Sequence, residues 1–437
     1  MKMKLNALII GSGAREHAFA FKMGQSLLIN KIYLAPGNGG TEVEFTNLPI
    51  DPLDFEGIAK AICQFEIKLV LVGPEQPLVE GIIDYFENLP DPLFSEVVFI
   101  GPNKVCAALE GSKDFSKQIM QEAGIPTARA KVFTVSDWNE LNVYIQNHTL
   151  PVVIKADGLA AGKGVAVCFS HEEAIAFSSS VLIENAFGPG NQTLLVEEFL
   201  DGVEVSMFLL SDGQNYQLLP EAKDYKRIFD NDKGPNTGGM GAVSPVWFVD
   251  KEFTQKVENR IIKPLFQTLK RRGMNYKGFL FIGLMKVGED PVVIEFNARM
   301  GDPETQTVLA RIDGDIVPAL LSVKDQKLHL NPFQVGSEAA VTVVHCAENY
   351  PENPVKGDVI HLDSTAKNGS VFHAGTKMKD GFLYTNGGRV VCCTAKGNNI
   401  NEAVSKAYSL CESIRFRGRQ FRTDIGKDVV HHTIGSM

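Results

Sequence analysis

Four short, largely apolar segments divide the first hundred residues, and each ends in residues that favour a turn. The segments are residues 5–10, 31–35, 67–72 and 96–100, and glycine or proline follows every one of them. Apolar runs of this length predict buried strands, and the sequence between them predicts helices. Strands that alternate with helices form a doubly wound parallel sheet, whose ligand lies beyond the carboxyl ends of the strands. We therefore predict an α/β domain over residues 1–105.

The loop that follows the first segment, residues 11–16, has part of a dinucleotide-binding fingerprint. That fingerprint needs a third glycine where this chain has Glu16, and the second segment ends at Pro36 without an acidic residue for a ribose. NAD is therefore disfavoured, and a dehydrogenase is the weakest enzyme alternative. Two interpretations stay open: a cradle for a small anion at a helix N-terminus, with Arg15 and Asn38 beside it, or plain turn glycines.

Residues 151–167 place a glycine-rich loop between two apolar runs. Its three glycines and two lysines suggest phosphate binding, but Gly164 stands where a P-loop has Ser or Thr, and Val165 continues as a strand. A glycine loop between two strands can fold over a triphosphate, with backbone N–H groups and lysine as donors. Lys155 ends the first strand, where it would reach the α- and β-phosphates. The alternative is a glycine-rich hairpin that binds nothing.

Residues 292–306 begin as a buried strand and end in turn residues. Strand side chains alternate, so Glu295 and Asn297 leave the same face, about 7 Å apart along the chain. A carboxylate and an amide oxygen are hard ligands that suit Mg²⁺ or Mn²⁺, with phosphates and water completing the shell. Arg299 adds a positive fork for a phosphoryl or carboxylate group. The plainer alternative is a strand end with an exposed Glu and a structural Asn.

Residues 194–200 predict a strand that runs into a linker. Its backbone would pair with an adenine edge while Phe199 and Leu200 pack on the ring, and Glu204 would reach the ribose hydroxyls. A strand that only links two domains is the alternative, and the sequence does not decide between them.

A long loop over residues 221–241 contains Asp224, Lys226 and closely spaced glycines. Loops of this length inside compact domains are usually functional or disordered, and the flanking apolar residues disfavour disorder. Lys226 would bind phosphate, Asp224 would hold an ammonium group, and the glycines at 239–241 would permit close approach of substrate.

The rest of the chain predicts helices and strands without chemistry of their own. Helices are predicted at 112–122, 172–187 and 254–271, and residues 278–287 and 292–296 predict a hairpin. From about residue 332 a small α+β lobe is predicted, with strands at 338–346, 358–362, 370–376 and 389–395 and a helix at 401–414. His345, His361 and His373 have no metal-like spacing, so we interpret them as ordinary strand residues.

Composition excludes several classes of function. The net charge is −9 and the basic residues do not cluster, which argues against a nucleic-acid partner. Seven cysteines without a C-x-x-C pair predict free, buried thiols in a reducing compartment. No apolar run approaches the length of a membrane span, and the N-terminus does not resemble a signal peptide. We therefore expect a cytoplasmic protein, a monomer or alternatively a dimer.

Eight motifs occur in an order that is typical of one family. They are GSGAREHA (11–18), APGNGGT (35–41), VGPEQPL (72–78), EGSK (110–113), KADGLAAGKGV (155–165), GPNTGGMGA (234–242), EFNARMGDPETQ (295–306) and TNGGRV (385–390). Across essentially the whole chain, the sequence resembles the phosphoribosylamine–glycine ligases, or glycinamide ribonucleotide synthetases, of the ATP-grasp superfamily.

The resemblance implies a fold and a reaction. An ATP-grasp domain over residues 106–330, with 125–190 as a lid over ATP, would follow the first domain, and residues 331–437 would form the C-terminal α+β lobe. ATP would phosphorylate glycine, and the amine of 5-phosphoribosylamine would attack the glycyl phosphate to give glycinamide ribonucleotide, ADP and phosphate.

The resemblance also implies roles for residues of this chain. The ATP-binding residues would be Lys113, Lys155, Gly158, Gly162, Lys163, Gly164, Glu197, Glu198, Phe199, Leu200 and Glu204. The metal, Mg²⁺ or Mn²⁺, would be bound by Glu295 and Asn297, and the residues acting in the reaction would be Arg299, Lys226 and Asp224. The substrate contacts would be Gly13, Arg15, Glu16, Asn38, Pro74, Glu75, Gly239, Met240, Gly241, Gly301 and Asp302.

Small departures and two alternatives accompany the resemblance. Many relatives have His at the position of Tyr225 and Cys at the position of Ala298, which affects only packing beside charged residues. Many ATP-grasp relatives also carry an acid on the strand before the metal strand, and residues 278–285 have none. The alternatives are an ATP-grasp ligase for another acid or amine, and a nucleotide-binding regulatory protein without catalysis. The intact Glu295, Asn297 and Arg299 count against the second.

Overall fold

A five-stranded parallel sheet forms the N-terminal part of the computed structural model, which describes residues 4–160, 163–188, 193–363 and 369–434. Its strands are β1 (Leu5–Gly11), β2 (Ile29–Pro36), β3 (Thr46–Asn47), β4 (Ile67–Val72) and β5 (Val98–Ile100). The order is β3-β2-β1-β4-β5, with every pair parallel. Leu8, Ile9 and Ile10 are wholly buried, because helices cover both faces of the sheet. The predicted doubly wound sheet is confirmed, and β3 is an addition to it.

Short helices connect these strands and position the crevice of the sheet. They are α1 (Ala14–Gly24), α2 (Thr41–Glu44), α3 (Phe55–Gln64), α4 (Glu75–Glu80), α5 (Ile82–Glu87) and α6 (Pro92–Glu96). After β1 the chain continues to β2 on one side of the sheet, and after β4 it continues to β5 on the other side. The loops that follow β1 and β4 therefore meet at a topological switch point. Helices α1 and α4 begin there.

Two antiparallel sheets follow, and the first surrounds the glycine loop. The elements of this segment are α7 (Lys104–Gly111), α8 (Lys113–Ala123), β6 (Ala130–Thr134), α9 (Trp138–Gln146), β7 (Val152–Ala156), β8 (Val165–Cys168), α10 (His171–Leu182) and β9 (Thr193–Glu198). The strand order is β6-β9-β7-β8. The predicted hairpin around the loop is confirmed, with Lys155 opposite Val165. Helix α10 is shorter than the predicted 172–187, because Asn185 has a positive φ that no helix accommodates.

The second antiparallel sheet carries the predicted metal strand. The elements of this segment are β10 (Val203–Asp212), β11 (Tyr216–Leu218), β12 (Lys223–Asp224), β13 (Arg227–Phe229), β14 (Lys233–Asn236), β15 (Gly241–Ser244), α11 (Lys251–Val257), α12 (Lys263–Arg271), β16 (Lys277–Val287) and β17 (Asp290–Asn297). The sheet has the order β11-β10-β16-β17, which confirms the predicted hairpin. A π-helical stretch joins α11 to α12, and the helical segment begins at Lys251 because Asp250 caps it.

The rest of the chain, from residue 304, combines helices with short strands and includes the C-terminal lobe. Its elements are α13 (Glu304–Arg311), β18 (Ile312–Asp313), α14 (Val317–Ser322), β19 (Gln334–Val335), β20 (Ala339–Cys346), β21 (His361–Leu362), β22 (Ser370–His373), β23 (Thr376–Lys379), β24 (Phe382–Thr385), β25 (Arg389–Gly397), α15 (Ile400–Cys411), β26 (Ile414–Arg415) and α16 (Lys427–Ile434). The predicted strands at 358–362 and 370–376 are shortened, and the helix predicted to reach residue 414 ends at Cys411. All seven cysteines are free and all but Cys63 are buried.

Two strands of the middle segment belong to the C-terminal sheet. That sheet has the order β12-β15-β20-β25-β22, so residues 223–224 and 241–244 pair beside strands that come a hundred residues later. The predicted functional loop at 221–241 is therefore partly a strand pair, and β13 and β14 form a small ribbon within it. Among the described residues, no helix combines the length and apolar character needed to cross a membrane.

The buried His345 gives stability a defined pH dependence. Burial lowers the pKa of His345 to about 3, whereas a histidine in the unfolded chain titrates near 6.5. The folded state therefore binds fewer protons below pH 6.5, and the free energy of unfolding falls as the pH is lowered. When the pH is lowered from 7.5 to 5.5, His345 should reduce the free energy of unfolding by about 1 kcal/mol. Denaturant unfolding of His345→Gln at both pH values should show a correspondingly smaller loss than the wild type. The exposed His361→Gln is the control, and equal losses in all three proteins would contradict the prediction.

Candidate functional site

The candidate site lies where the first antiparallel sheet meets the second. The Lys155 ammonium of β7 donates to the Ile294 carbonyl of β17 at 3.2 Å, so the glycine loop faces the predicted metal strand. The Asn297 side-chain N–H donates to Glu295 at 3.1 Å, which confirms that both side chains leave one face of β17. The Asn297 carbonyl oxygen and the Glu295 carboxylate are the hard oxygen donors that Mg²⁺ or Mn²⁺ prefers, so this donor set fits such an ion.

Positive charge surrounds the Glu295 carboxylate. Burial acts to raise its pKa, but the ammonium groups of Lys226, Lys155 and Lys113 outweigh that effect and lower it. An ionised carboxylate suits a divalent cation, and the three ammonium groups around it suit the phosphates that such a cation accompanies. Gly283 of β16 stands opposite Glu295, so no acidic side chain accompanies the carboxylate from that strand.

Lys113 begins helix α8 beside the glycine loop. The Ser112 hydroxyl caps this helix by accepting from the Phe115 N–H at 3.1 Å. Asp157 accepts from the Lys113 backbone N–H at 2.5 Å, and the Lys113 ammonium donates to the Gly158 carbonyl at 2.8 Å. Burial lowers the pKa of Lys113. The lysine is therefore fixed at the start of the loop, on the same side of the site as Lys155.

The remainder of the glycine loop is described only in part. The Gly164 carbonyl accepts from the Ala156 N–H at 2.7 Å and closes the loop, while the Lys163 side chain is exposed. Gly158 has a φ of +83°, which L side chains rarely adopt. Gly162 lies outside the described residues. The predicted phosphate contacts of Gly158, Lys163 and Gly164 stay predictions.

Glu197 on β9 is shared between two buried lysines. Its carboxylate oxygens lie 3.1 Å from the Lys117 ammonium and 2.8 Å from the Lys155 ammonium, and none of the three side chains is more than 7% exposed. Lys117 also donates to the Thr127 hydroxyl and the Ala128 carbonyl. The Glu197 side chain therefore holds Lys155 in place, while its backbone lies between the neighbouring strands β6 and β7. The predicted adenosine contact of Glu197 stays a prediction. Lys117 was missed by the sequence analysis, because a lysine inside a helix has no distinguishing pattern.

The linker after β9 leaves the first sheet at the predicted adenosine site. Glu198 pairs on the surface with Arg129 at 2.8 Å, and Phe199 is 40% exposed. Leu200 lies between β9 and β10, as predicted. Glu204 forms an ion pair with Lys226, so the end of the linker contacts the 221–244 segment rather than standing free.

Two carboxyl groups beside Lys226 bind protons more tightly than usual. Burial raises the pKa of Asp224 to about 8, and Glu204 and Glu304 act in the same direction. Burial likewise raises the pKa of Glu304, the first residue of α13. Glu304 was also missed, although it lies inside a recognised motif, because an acid in the first turn of a helix is ordinary helix chemistry.

Arg299 is held between two acids from different segments. It lies 3.2 Å from Glu75 at the start of α4 and 2.6 Å from Glu110 at the end of α7. Glu110 also accepts from the Ala298 N–H at 2.7 Å, so it holds both the Arg299 side chain and the backbone of the preceding residue. The Arg299 charge lowers the pKa of Glu75 to about 2, whereas burial raises the pKa of Glu110 to about 7. Pro74 precedes α4 at its N-terminus.

Arg15 and Glu16 lie in the crevice of the parallel sheet. The Arg15 Nε donates to Glu16 at 2.6 Å, and its Nη1 donates to the Met300 carbonyl at 3.0 Å. Glu16 also accepts from the Gly13 N–H at 2.6 Å. A Cβ on Gly13 would lie 2.7 Å from Glu16 and 3.1 Å from the Asp302 carboxylate. The first loop therefore touches the segment that follows the metal strand.

Asn38 bonds within the protein rather than standing free. Its amide N–H groups donate to the Ser12 and His373 carbonyls, and its side-chain oxygen accepts from the Gly40 and Thr41 N–H groups. All four bonding positions of the amide are thus in use. Asn38 ties the second loop to the first loop and to the C-terminal lobe, a role that its motif did not indicate.

The glycines at 239–241 and 301 also make close contacts. Gly239 has a φ of +112°, and a Cβ there would lie 2.5 Å from Pro303. A Cβ on Gly301 would lie 2.4 Å from Glu304. The Met240 side chain is wholly buried, its N–H donates to the Tyr225 carbonyl at 2.7 Å and its carbonyl accepts from the Val344 N–H at 2.9 Å. The predicted substrate contact of Met240 stays a prediction.

A second group of possible metal ligands lies away from this site. The ligand atoms of His345, Cys393 and Cys411 lie within 4.8 Å of one another, although their sequence spacing shows no metal pattern. Metal-bound histidines normally donate their other ring nitrogen to a partner, and the His345 Nδ1 has no hydrogen-bond partner among the described residues. The positive charge of Arg419 also acts on His345. We therefore assign these side chains to core packing, as the sequence analysis does for the histidines.

Three family models match this chain in order. They are the N domain, the ATP-grasp (A) domain and the C domain of phosphoribosylglycinamide synthetase, at residues 5–110, 111–305 and 340–428. With two antiparallel sheets that meet at Lys155 and Ile294, these matches define an ATP-grasp enzyme flanked by an N-terminal and a C-terminal domain. The fold class expected from the sequence is confirmed.

Individual relatives extend over the same length. A phosphoribosylamine–glycine ligase of Leptospira interrogans is 42% identical over 98% of this chain and 99% of its own, and one of Pasteurella multocida is 42% identical over 97% of each. The crystal structure of a phosphoribosylamine–glycine ligase from Thermotoga maritima superposes with a TM-score of 0.83 at 36% identity, over 96% of this chain and all of that one. This chain belongs to the phosphoribosylamine–glycine ligase family, a family of carbon–nitrogen ligases.

Two adjacent glutamates on β9 should respond differently to the same substitution. Glu197→Gln removes the charge between two buried lysines and should lower the free energy of unfolding by about 3 kcal/mol. Glu198→Gln removes an exposed pair and should change it by less than about 1 kcal/mol. Urea unfolding of both variants at pH 7.5 measures the difference. Similar losses in both would show that the buried triad does not stabilise the sheet.

Proposed function

We propose that this chain joins glycine to 5-phosphoribosylamine through a glycyl phosphate, with release of ADP and phosphate and formation of glycinamide ribonucleotide. The observation that carries the proposal is the Glu295 carboxylate on β17, placed among Lys113, Lys155 and Lys226 where the two antiparallel sheets meet. ATP and a divalent metal are the cofactors of this site, and we propose Mg²⁺ as the ion, with Mn²⁺ as a substitute.

The chemistry needs charge neutralisation more than it needs a nucleophile. A carboxylate is a poor electrophile, so transfer of the γ-phosphoryl group to a glycine oxygen supplies a leaving group. The amine nitrogen then attacks the glycyl carbon, the bond from carbon to the phosphate oxygen breaks, and the amine loses a proton. Arrangements of this kind accelerate a reaction by positioning and electrostatic stabilisation.

We assign the residues to these tasks by their positions. Lys113, Lys155 and the 158–164 loop bind the ATP phosphates, and the 197–200 segment with Glu204 binds adenosine. Glu295 and Asn297 would hold a divalent cation, which supplies neutralising charge to the phosphates. Arg299, oriented by its two acids, faces the transferring phosphoryl group.

The remaining assignments concern the substrates. Asp224 and Lys226 hold glycine, and Gly13, Arg15, Glu75, Gly239 and Asp302 surround the acceptor amine. Glu16, Asn38, Pro74, Met240 and Gly301 contribute backbone or support to the same crevice. The domain limits of 1–105, 106–330 and 331–437 and the cytoplasmic location stay predictions.

An omission experiment tests the reaction directly. ADP release should require Mg-ATP, glycine and freshly generated phosphoribosylamine together. Glu295→Gln should reduce the rate at least about 100-fold, because it removes a charged metal ligand. Glu289→Gln, on the exposed turn of the same hairpin, is the matched control and should leave the rate unchanged. Calorimetric titration with Mn²⁺ and ADP should show the loss of metal binding in Glu295→Gln alone. Binding of ATP without turnover under any combination would favour a regulatory protein instead.

The first antiparallel sheet should act as a lid. We propose that residues 125–190 close over ATP, because their sheet contacts β17 through Lys155. Closure shields backbone N–H groups, so saturating Mg-ATP should slow hydrogen exchange in β7 and β8. Exchange that does not change on addition of Mg-ATP would contradict a lid.

A further inference from the structure

Arg389 of β25 reaches out of the C-terminal lobe to two separate segments of the site. Its guanidinium donates to the Gly238 carbonyl at 2.6 Å and also to the Asp302 carbonyl. The guanidinium Nη2 lies 3.5 Å from the Asp302 carboxylate, and the side chain is 22% exposed. Arg389 belongs to the TNGGRV motif, to which the proposed reaction gives no role.

Asp302 is held by groups from three parts of the chain. Its carboxylate accepts from the Gln306 amide at 2.8 Å and lies beside the first loop, where a Cβ on Gly13 would be 3.1 Å from it. Burial acts to raise the pKa of Asp302, but the Arg389 and Arg15 charges outweigh burial and lower it. An ionised carboxylate is thus oriented from the N-terminal side by Arg15 and from the C-terminal side by Arg389.

Gly238 connects Arg389 to the loop that carries Lys226, one of the two residues assigned to the substrate glycine. Its N–H donates to the Tyr350 hydroxyl at 3.0 Å, so two residues of the C-terminal lobe hold the peptide groups on both sides of Gly238. A Cβ on Gly238 would lie 3.0 Å from the Arg389 guanidinium carbon, so the guanidinium lies directly against this glycine. The next contact along the chain is the Thr237 N–H, which donates to the Lys226 carbonyl at 2.8 Å.

We propose that Arg389 is a positioning residue for the phosphoribosylamine site, acting through Asp302 and the loop at Gly238. The inference rests on the proposed function. The acceptor site is then complete only when the C-terminal lobe is docked. The groups assigned to ATP bond elsewhere, because Lys113 contacts Gly158 and Lys155 contacts Glu197 and Ile294. Loss of the Arg389 charge should therefore weaken the binding of phosphoribosylamine and leave the binding of ATP unchanged.

Steady-state kinetics of the full chain test this separation. Arg389→Met should raise the KM for phosphoribosylamine about tenfold or more and leave the KM for ATP within about twofold. Arg389→Lys keeps the charge and should show an intermediate KM, because an ammonium replaces only part of the guanidinium fork. Asp302→Asn should raise the same KM, and the double variant should show less than the product of the two single effects.

A matched control separates positioning from general stability. Arg419→Met removes another arginine of the C-terminal lobe, one that donates to the Cys411 and Ile414 carbonyls and stacks on Phe421. It should leave the KM for phosphoribosylamine within about twofold of the wild type. Equal increases in the KM for ATP and for phosphoribosylamine in Arg389→Met would overturn the proposal. An increase of the same size in Arg419→Met would also overturn it.

Hydrogen exchange without substrates provides a readout that does not need turnover. Arg389→Met should speed exchange of the Gly238 and Gly239 amides and leave the amides of β7 unchanged. Unchanged exchange at Gly238 and Gly239 would overturn the positioning role even in an inactive enzyme. A wild-type chain that never needs phosphoribosylamine for ADP release would refute the proposed function instead, which keeps the two failures distinct.

Discussion

The ion triad of Lys117, Glu197 and Lys155 is the interaction on which the geometry of the candidate site beside the glycine loop depends. Burying three charges is unfavourable unless they neutralise one another, and here one carboxylate serves two ammonium groups. The triad keeps one unit of positive charge, which makes the pocket receptive to an anion. It also joins α8, β7 and β9, so the helix that starts at Lys113 and the strand that ends at Lys155 are fixed relative to each other.

Much of this architecture follows from local pattern. Four of the five parallel strands were predicted, as were the strand pairs of β7 with β8 and of β16 with β17, because buried strands are short, apolar and bounded by turn residues. The shared face of Glu295 and Asn297 follows from strand alternation alone. Residues such as Lys117, Glu110 and Glu304 could not be found this way. They occupy ordinary helix positions, and only the packing of distant segments gives them a charged partner.

Motif residues also divide into two kinds that sequence does not separate. Glu16 and Asn38 stand in the most recognisable loops, yet the Glu16 side chain bonds within its own loop and the Asn38 side chain bonds to the first loop and the C-terminal lobe. A residue can belong to a motif because it contacts a ligand, or because it shapes the loop that contacts the ligand. Glu16 shows the second case clearly, because a Cβ on Gly73 would overlap its carboxylate. Contacts of this kind explain why glycines and an acid occur together in the loops that line the crevice.

The placement of β12 and β15 in the C-terminal sheet has a consequence for how the chain is made. During synthesis these strands emerge about a hundred residues before β20, their partner, because Gly241 pairs with Val343. The sheet cannot be completed until the lobe has left the ribosome, and such long-range pairing is slow to form. A fragment that begins near residue 331 would present β20 as an open edge, which invites association with other chains. Fusion proteins and truncations should therefore keep residues 221–244 and the C-terminal lobe on one polypeptide.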